Sequence, residues 1–149
     1  MSDEQQVTEI LENTRTIAMV GASNKPERAS YRVMAFLQMC GYEVIPVNPL
    51  LAGEELHGQT VLAQLSEIEG PIDLVDIFRN SEAAVDAVDQ SIALGAKAVW
   101  MQLGVINPVA RQKAQDAGLQ VVMDRCPKID IPEFGITVPA SVRAKETSV

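Results

Sequence analysis

Residues 16–30 read TIAMVGASNKPERAS and set the architecture of the chain. The apolar run Thr16–Val20 predicts a short buried β-strand, which ends in a turn at Gly21. Residues 30–40 place Val33, Phe36 and Leu37 at helical spacing, and therefore predict a helix that stops at Gly41. A strand followed by a glycine turn and a helix is the repeating unit of alternating α/β proteins.

The same alternation continues along the chain. Further strands are predicted at 42–47, 72–78, 97–102 and 119–124, where Val, Ile and Leu predominate. Ser81 is predicted to cap a helix that ends at Gly95, and Asn107-Pro108 to begin one that ends at Gly118. The pattern predicts one doubly wound α/β domain of about five parallel strands with helices on both faces.

The chain of 149 residues has the length of a single domain. We divide it into a helical segment at 1–14, an α/β domain at 15–130 and an irregular tail at 131–149. The tail is predicted because Pro127, Pro132 and Pro139 interrupt the pattern after Cys126. Residues 50–69 are expected to contain a turn at His57-Gly58 and a short helical piece near Leu65.

Charge and composition exclude several classes of function. The 12 Lys and Arg against 20 Asp and Glu give a net charge of −8, which disfavours nucleic acid and membrane surfaces as partners. No run of apolar residues is long enough for a membrane span, and the polar, acidic first residues are unlike a signal peptide, so we expect a cytoplasmic protein. The two cysteines and one histidine form no zinc motif, so no metal is expected. His57 lies in the predicted surface turn, and no catalytic constellation is visible.

In a doubly wound sheet, ligands bind beyond the carboxyl ends of the strands. At the end of the first strand, Gly21 permits a tight turn, and Lys25, Arg28 and Arg32 follow it in an otherwise acidic chain. Cations beside the first turn of a helix favour a phosphate group. Only the first glycine of the dinucleotide motif G-x-G-x-x-G is present, and a generic turn with solvated charges is the alternative.

The second strand ends at Asn48-Pro49 without an acidic residue. NAD-binding domains usually place Asp or Glu there to hold the ribose hydroxyls. An acid would repel a phosphate on that ribose, so its absence permits coenzyme A (CoA). NADP fits this observation equally, and Asn48-Pro49 can also be a simple turn.

Five segments of the sequence resemble the small stand-alone CoA-binding proteins. This family is similar to the amino-terminal CoA-binding domain of the succinyl-CoA synthetase alpha subunit. The resemblance covers about residues 15–130 and implies a Rossmann-like fold. The segments are Gly21–Ser23 with Pro26 and Ser30–Val33, Gly41–Pro49, Val75–Arg79, Trp100–Val105 and Val122–Cys126.

The resemblance also implies where CoA or an acyl-CoA would bind. The loop after the first strand would hold the diphosphate, 47–49 would flank the adenosine, 78–79 would close over the nucleotide, and 102–104 would lie toward the pantetheine arm. The chain has Leu50-Leu51-Ala52 where the synthetase has a lysine, and we expect no counterpart of the synthetase's second domain, which carries the phosphorylated histidine. The implied site residues are Gly21, Ala22, Ser23, Lys25, Arg28, Ser30, Val47, Asn48, Pro49, Phe78, Arg79, Gln102 and Gly104.

The sequence therefore favours a non-catalytic or accessory CoA-binding module. One alternative is an enzyme, either an NAD(P)-dependent oxidoreductase or a CoA ligase or transferase subunit that needs a partner chain. Another is a regulatory protein whose dimer state responds to the ligand, so a homodimer and a partner protein both remain open. Asp76 is expected to be a hydrogen-bonded group behind the site. Cys126, at the same sheet edge, is expected to pack as a thiol rather than form a mixed disulfide with CoA.

Overall fold

The computed structural model describes residues 2–141, in which strands and helices alternate as predicted. The helices are α1 (Asp3–Glu12), α2 (Ala29–Met39), α3 (Ala84–Leu94), α4 (Pro108–Asp116) and α5 (Pro127–Phe134). The strands are β1 (Thr16–Val20), β2 (Glu43–Val47), β3 (Glu55–Leu56), β4 (Gln59–Thr60), β5 (Leu74–Ile77), β6 (Ala98–Met101) and β7 (Gln120–Val122). Short 3-10 helices occupy Pro49–Leu51 and Leu65–Glu67.

A parallel sheet of five strands, in the order β2-β1-β5-β6-β7, forms the centre of the molecule. The chain adds β2 on one side of β1 and the later strands on the other side. The order therefore reverses between β1 and β5, where the last residue of β1, Val20, pairs with Ile77. The predicted doubly wound α/β fold is confirmed, and the reversal is the place where such sheets bind ligands.

Each face of the sheet is covered by an apolar core, which explains why the strands are almost continuously apolar. On one face, Ile17, Met19 and Trp100 pack with α1, α2 and α5. On the other face, Ala18 and Val99 pack with α3 and α4. Because α1 contributes Val7, Ile10 and Leu11 to the first core, the predicted segment 1–14 packs on the domain rather than standing apart.

Between β2 and β5, the chain forms a small hairpin and a 3-10 turn. β3 and β4 pair in antiparallel fashion around His57-Gly58, which have φ angles of 47° and 81°. The predicted turn and the predicted helical piece near Leu65 are both confirmed. The His57 ring lies 4.3 Å from the ring of Tyr31, and its Nε2 lies 3.0 Å from the carbonyl oxygen of Tyr31.

The prediction that Ser81 caps the helix after β5 is wrong. The helix begins at Ala84, and the Asn80 side chain accepts a hydrogen bond from the Ala83 amide at 2.9 Å. The Ser81 hydroxyl instead contacts the loop after β6, where it accepts from the Ile106 amide at 3.0 Å. Ser81 therefore joins two loops at the carboxyl edge of the sheet.

Helix α5 crosses the boundary at which we predicted an irregular tail. Pro127 is tolerated because it occupies the first helical position, where an amide hydrogen would have no helical partner. Pro132 lies inside this short helix. Ile131, Ile136 and Val138 are buried in the first core, so the chain remains packed beyond residue 130. Residues 142–149 of the predicted tail lie outside the described residues.

Candidate functional site

Two cavities open at the carboxyl edge of the sheet and meet above the end of β1. The α2 cavity, of about 530 Å³, lies toward helix α2 and includes Ser23, Lys25, Arg28 and Gln102 in its wall. The α3 cavity, of about 640 Å³, lies toward helix α3 and includes Gln64, Asp86 and Gln90. Both are bordered by Gly21, Asn48, Leu50, Phe78 and Arg79, so together they form one crevice over the reversal between β1 and β5.

Gly21 lies where the two cavities meet. Its φ angle is +84°, and a Cβ atom at this position would lie 2.0 Å from the carbonyl oxygen of Phe78. The Gly21 amide donates to the Val47 carbonyl oxygen at 2.9 Å. Glycine is required here because the ends of β1 and β5 approach too closely for any side chain.

Asn48 ties the end of β2 to the end of β1. Its Nδ2 donates to the Ala22 carbonyl oxygen at 2.8 Å, and its Oδ1 accepts from the Leu50 amide at 2.9 Å. An aspartate could accept the second bond but could not donate the first. The absence of an acid at this position therefore has a structural cause, which the sequence did not reveal.

The loop between β1 and α2 carries backbone amides and cations to the α2 cavity. The Ser23 hydroxyl accepts from the Lys25 amide at 3.1 Å, and the Lys25 carbonyl accepts from the Arg28 amide at 2.9 Å. Arg28 precedes α2 without forming a side-chain cap, which leaves the amides of the first helical turn without a side-chain acceptor there. Arg32 points back to the loop, where its guanidinium donates to the carbonyl oxygens of Pro26 and Glu27.

The two cavities differ in charge. The wall of the α2 cavity contains Lys25, Arg28 and Arg79 and no acidic residue. The wall of the α3 cavity contains Arg79 and one acid, Asp86, whose Oδ2 accepts a hydrogen bond from Gln90 at 2.8 Å. In a chain with a net charge of −8, the α2 cavity is a local concentration of positive charge that can attract anions.

A buried carboxyl group lies behind the α2 cavity. Gln102 lines the cavity, and its Nε2 donates to Oδ1 of Asp76 at 2.7 Å. Asp76 is fully buried, and burial raises its pKa to about 7 although the bond from Gln102 acts in the opposite direction. The expected hydrogen-bonded group behind the site is thus present.

Cys126 is buried at the end of the loop after β7 and lines neither cavity. Burial raises the pKa of its thiol, despite hydrogen bonds from the amides of Lys128 and Ile129. A raised pKa makes the reactive thiolate scarce at neutral pH. This environment agrees with the expectation of a packing thiol.

The loop after β6 is held on both sides. On one side, Ser81 bonds to the backbone of Gly104 and Ile106. On the other side, Oδ1 of Asp124 accepts from the Gly104 amide at 2.8 Å. Asp124 has a φ angle of +61°, which is uncommon for a residue other than glycine. The residue that makes this hydrogen bond therefore has a left-handed backbone conformation.

The crevice brings together most of the site residues expected from the sequence. The α2 cavity is lined by Gly21, Ala22, Ser23, Lys25, Arg28, Ser30, Asn48, Phe78, Arg79 and Gln102. Val47 and Pro49 line the α3 cavity. Gly104 lines neither cavity, whereas its neighbours Leu103 and Val105 line the α2 cavity.

Sequence reasoning missed the far wall of the α3 cavity. Asp86 and Gln90 lie one turn apart on α3. Their spacing of four residues places both side chains on the same face of a predicted helix, which is the signal by which the sequence could have identified them. Gln64 lies in the segment before β5, whose position the sequence pattern left open. Among residues 2–141, no cluster of His, Cys, Asp and Glu could hold a metal ion, and no helix could span a membrane.

A parallel doubly wound sheet with a crevice at its reversal point defines a Rossmann-like α/β domain. The model of the CoA-binding domain family matches residues 15–132, and the chain belongs to this family. The resemblance predicted from the sequence is therefore confirmed.

Two similar proteins match over nearly their whole length. The uncharacterized protein YneT of Bacillus subtilis is 39% identical over 124 residues, which are 83% of this chain and 90% of YneT. The structure of a protein from Pyrococcus horikoshii has a TM-score of 0.84 at 39% identity, with 90% of this chain and 92% of that chain covered.

Larger CoA enzymes match over a small part of their length. The alpha subunit of the ADP-forming acetate–CoA ligase II of Pyrococcus furiosus is 39% identical over 66 residues, which are 44% of this chain and 14% of that subunit. The dinucleotide-forming acetyl-coenzyme A synthetase 1 of Ca. Korarchaeum cryptofilum has the same fold, with a TM-score of 0.67 and 24% identity over 78% of this chain and 27% of the synthetase. The chain is thus related to one segment of CoA ligase subunits.

Proposed function

We propose that the protein binds CoA or an acyl-CoA across the crevice, as a binding module without a reaction of its own. The observation that carries this proposal is the charge of the α2 cavity, which has three cations and no acid in its wall. Membership of the CoA-binding domain family supports the same ligand. CoA has a diphosphate and a ribose phosphate, and both need positive charge or backbone donors.

In this proposal, the diphosphate lies in the α2 cavity beside the loop 21–28. The amides of the first turn of α2 and the positive end of its dipole stabilise the anion. Lys25, Arg28 and Arg79 border the same space and supply the neutralising charge. The exposed side chains of Lys25 and Arg28 are free to adjust to the phosphate oxygens.

The adenosine lies in the α3 cavity, beside Val47 and Pro49. This cavity combines apolar surface from Leu65 and Ala87 with the polar groups of Asp86 and Gln90. Apolar surface together with polar groups that can hydrogen-bond to ring edges suits a planar base. The pantetheine arm then extends through the α2 cavity toward Gln102 and Leu103.

Isothermal titration calorimetry with CoA, acetyl-CoA, NADP and FMN tests this proposal. We expect heat of binding with CoA or acetyl-CoA and weaker binding of NADP and FMN. A folded sample that gives no heat with either CoA species contradicts the proposal. Tighter binding of NADP than of CoA would instead support the oxidoreductase alternative.

A further inference from the structure

Asp76 presents an unsatisfied polar atom inside the protein. Its Oδ1 accepts the hydrogen bond from Gln102, whereas Oδ2 is buried and has no hydrogen-bond partner among residues 2–141. A carboxyl oxygen that is removed from water and left unpaired costs free energy, which makes Asp76 a candidate for a role beyond packing. Gln102 connects this group with the α2 cavity, since Gln102 is also one of the residues that line that cavity.

Within the described part of the chain, no cation compensates Asp76. In the sheet, its register neighbours are Met19 on β1 and Trp100 on β6. The buried residues of α2 are uncharged: Ser30, Val33, Met34 and Leu37. Cys126, which precedes α5, is the titratable group that interacts with it electrostatically. Asp130 on α5 is engaged by Arg125 at 2.8 Å. The amide of Gln102 is therefore the group that stabilises the Asp76 carboxylate, through the hydrogen bond that it donates.

We propose that Asp76 is a positioning residue whose carboxylate holds the Gln102 amide so that Oε1 is presented to the α2 cavity as a hydrogen-bond acceptor. The amide group has a donor end and an acceptor end, and the carboxylate engages the donor end. This hydrogen bond is the only one that the Gln102 side chain makes within residues 2–141. Its acceptor end is therefore available to a ligand.

This inference rests on the proposed function, because it assigns a group of CoA to Gln102. An acceptor at this place recognises a hydrogen-bond donor on the ligand. The pantetheine arm offers three kinds of donor: its hydroxyl group, its amide N–H groups and its terminal thiol. Acetyl-CoA keeps the hydroxyl and the amides and lacks the thiol hydrogen, so the two ligands distinguish the thiol from the other donors.

Protonation of Asp76 removes the preference for this arrangement. A neutral carboxyl group has both an O–H donor and a carbonyl acceptor, so it can bind either end of the Gln102 amide. In the turned-over orientation, the NH₂ group faces the cavity and opposes a donor on the ligand. Because the pKa of Asp76 is about 7, ionisation and the favourable orientation increase together as the pH rises through neutrality.

The test compares CoA affinity of the wild type and of Asp76→Asn by calorimetry from about pH 6 to about pH 8.5. The introduced asparagine does not titrate, so its hydrogen bonding to Gln102 is the same at every pH. We expect the wild type to bind CoA about three- to tenfold more tightly at the upper pH than at the lower pH, relative to the change that the variant shows over the same range. The CoA phosphate also titrates in this range, and Asp76→Asn retains that contribution as the control.

A second measurement needs no variant. Nuclear magnetic resonance of the ¹³C-labelled Asp76 carboxyl group gives its titration midpoint with and without CoA. Because the ligand prefers the ionised form, we expect CoA to lower the midpoint by about 0.5–1 pH unit, which corresponds to the same affinity ratio. Acetyl-CoA lowers the midpoint equally if the hydroxyl or an amide is the donor, and less if the thiol is the donor.

The outcomes separate the two proposals. Parallel pH profiles of the wild type and Asp76→Asn, together with a midpoint that CoA does not lower, overturn the role of Asp76 and leave CoA binding intact. Absence of CoA binding at every pH in both proteins overturns the proposed function and, with it, this inference.

Discussion

The two cavities share one sheet edge, but different parts of the chain build their walls. The α2 cavity is bordered by a loop and by exposed cations, whereas the α3 cavity is bordered by the side of a helix that carries Asp86 and Gln90. The first has three cations and no acid in its wall, whereas the second has Arg79 and one acid. In the proposed binding mode, this difference would place the diphosphate and the adenine base of CoA on opposite sides of Gly21.

A side chain added at Gly21, where the two cavities meet, should have the largest effect. Gly21→Ala places a Cβ atom 2.0 Å from the Phe78 carbonyl oxygen and forces a positive φ on alanine. We expect a loss of about 3 kcal/mol in the free energy of unfolding, measured by urea denaturation, and a loss of CoA binding.

The matched control for this substitution is Gly118→Ala. Gly118 also has a positive φ, of +88°, but no atom lies within 4 Å of its added Cβ. This variant should lose only about 1 kcal/mol. Equal losses in the two variants would show that the contact between the ends of β1 and β5 is not the cause.

Reversal of one charge in the α2 cavity should weaken binding without loss of the fold. Arg28 is exposed and forms no side-chain hydrogen bond at the start of α2. We expect Arg28→Glu to lower CoA affinity by about 10- to 100-fold, because a cation next to phosphate is replaced by an anion. Arg111→Glu changes an exposed cation on α4 that lines neither cavity, and should bind as the wild type does. Unchanged affinity of Arg28→Glu would show that the loop is not the phosphate site.

The dependence of ligand affinity on salt should distinguish the two cavities in the unmodified protein. Raising the ionic strength from about 0.05 M to about 0.5 M shortens the range of charge interactions, so CoA affinity should fall about tenfold. Adenosine, which has no phosphate, should bind weakly and with little dependence on salt. A similar salt dependence for both ligands, measured by calorimetry, would contradict the assignment of charge to the α2 cavity.

The smallest effect is expected from the acid of the α3 cavity. Asp86→Asn removes the one negative charge in that wall and keeps the size of the side chain. If an uncharged base lies there, CoA affinity should change by less than about threefold. An increase of more than about tenfold would show that phosphates occupy the α3 cavity and would reverse the proposed orientation of the ligand.

The sequence predicted the sheet because each strand is a short apolar run followed by a glycine or a polar breaker. The sequence did not predict α5, because this short helix contains two prolines, which usually indicate a break in a helix. The apolar residues of α5 that pack in the first core were a weaker signal. The sequence assigned Ser81 to a helix cap, since serine before an apolar repeat is a common start signal. The hydroxyl instead bonds to a loop more than twenty residues away in sequence, a contact that only the folded chain creates.

The candidate site was predictable to a similar degree. The rule that ligands bind at the carboxyl ends of strands selected Gly21, Arg79 and Gln102 correctly as neighbours of one crevice. The double hydrogen bond of Asn48 was not predictable, because it depends on the distance between two strand ends. The unpaired carboxyl oxygen of Asp76 was also not predictable. A polar residue within an apolar strand does not show whether a hydrogen-bond partner lies opposite it in the folded chain.

The loop after β6 is fastened by Ser81 and Asp124 on opposite sides. This rim of the crevice is consequently preorganised, and a ligand that arrives there does not have to order it. Association of CoA should then follow a single kinetic phase without a slow closure step, and the residence time should be set by how quickly the phosphates leave their cations.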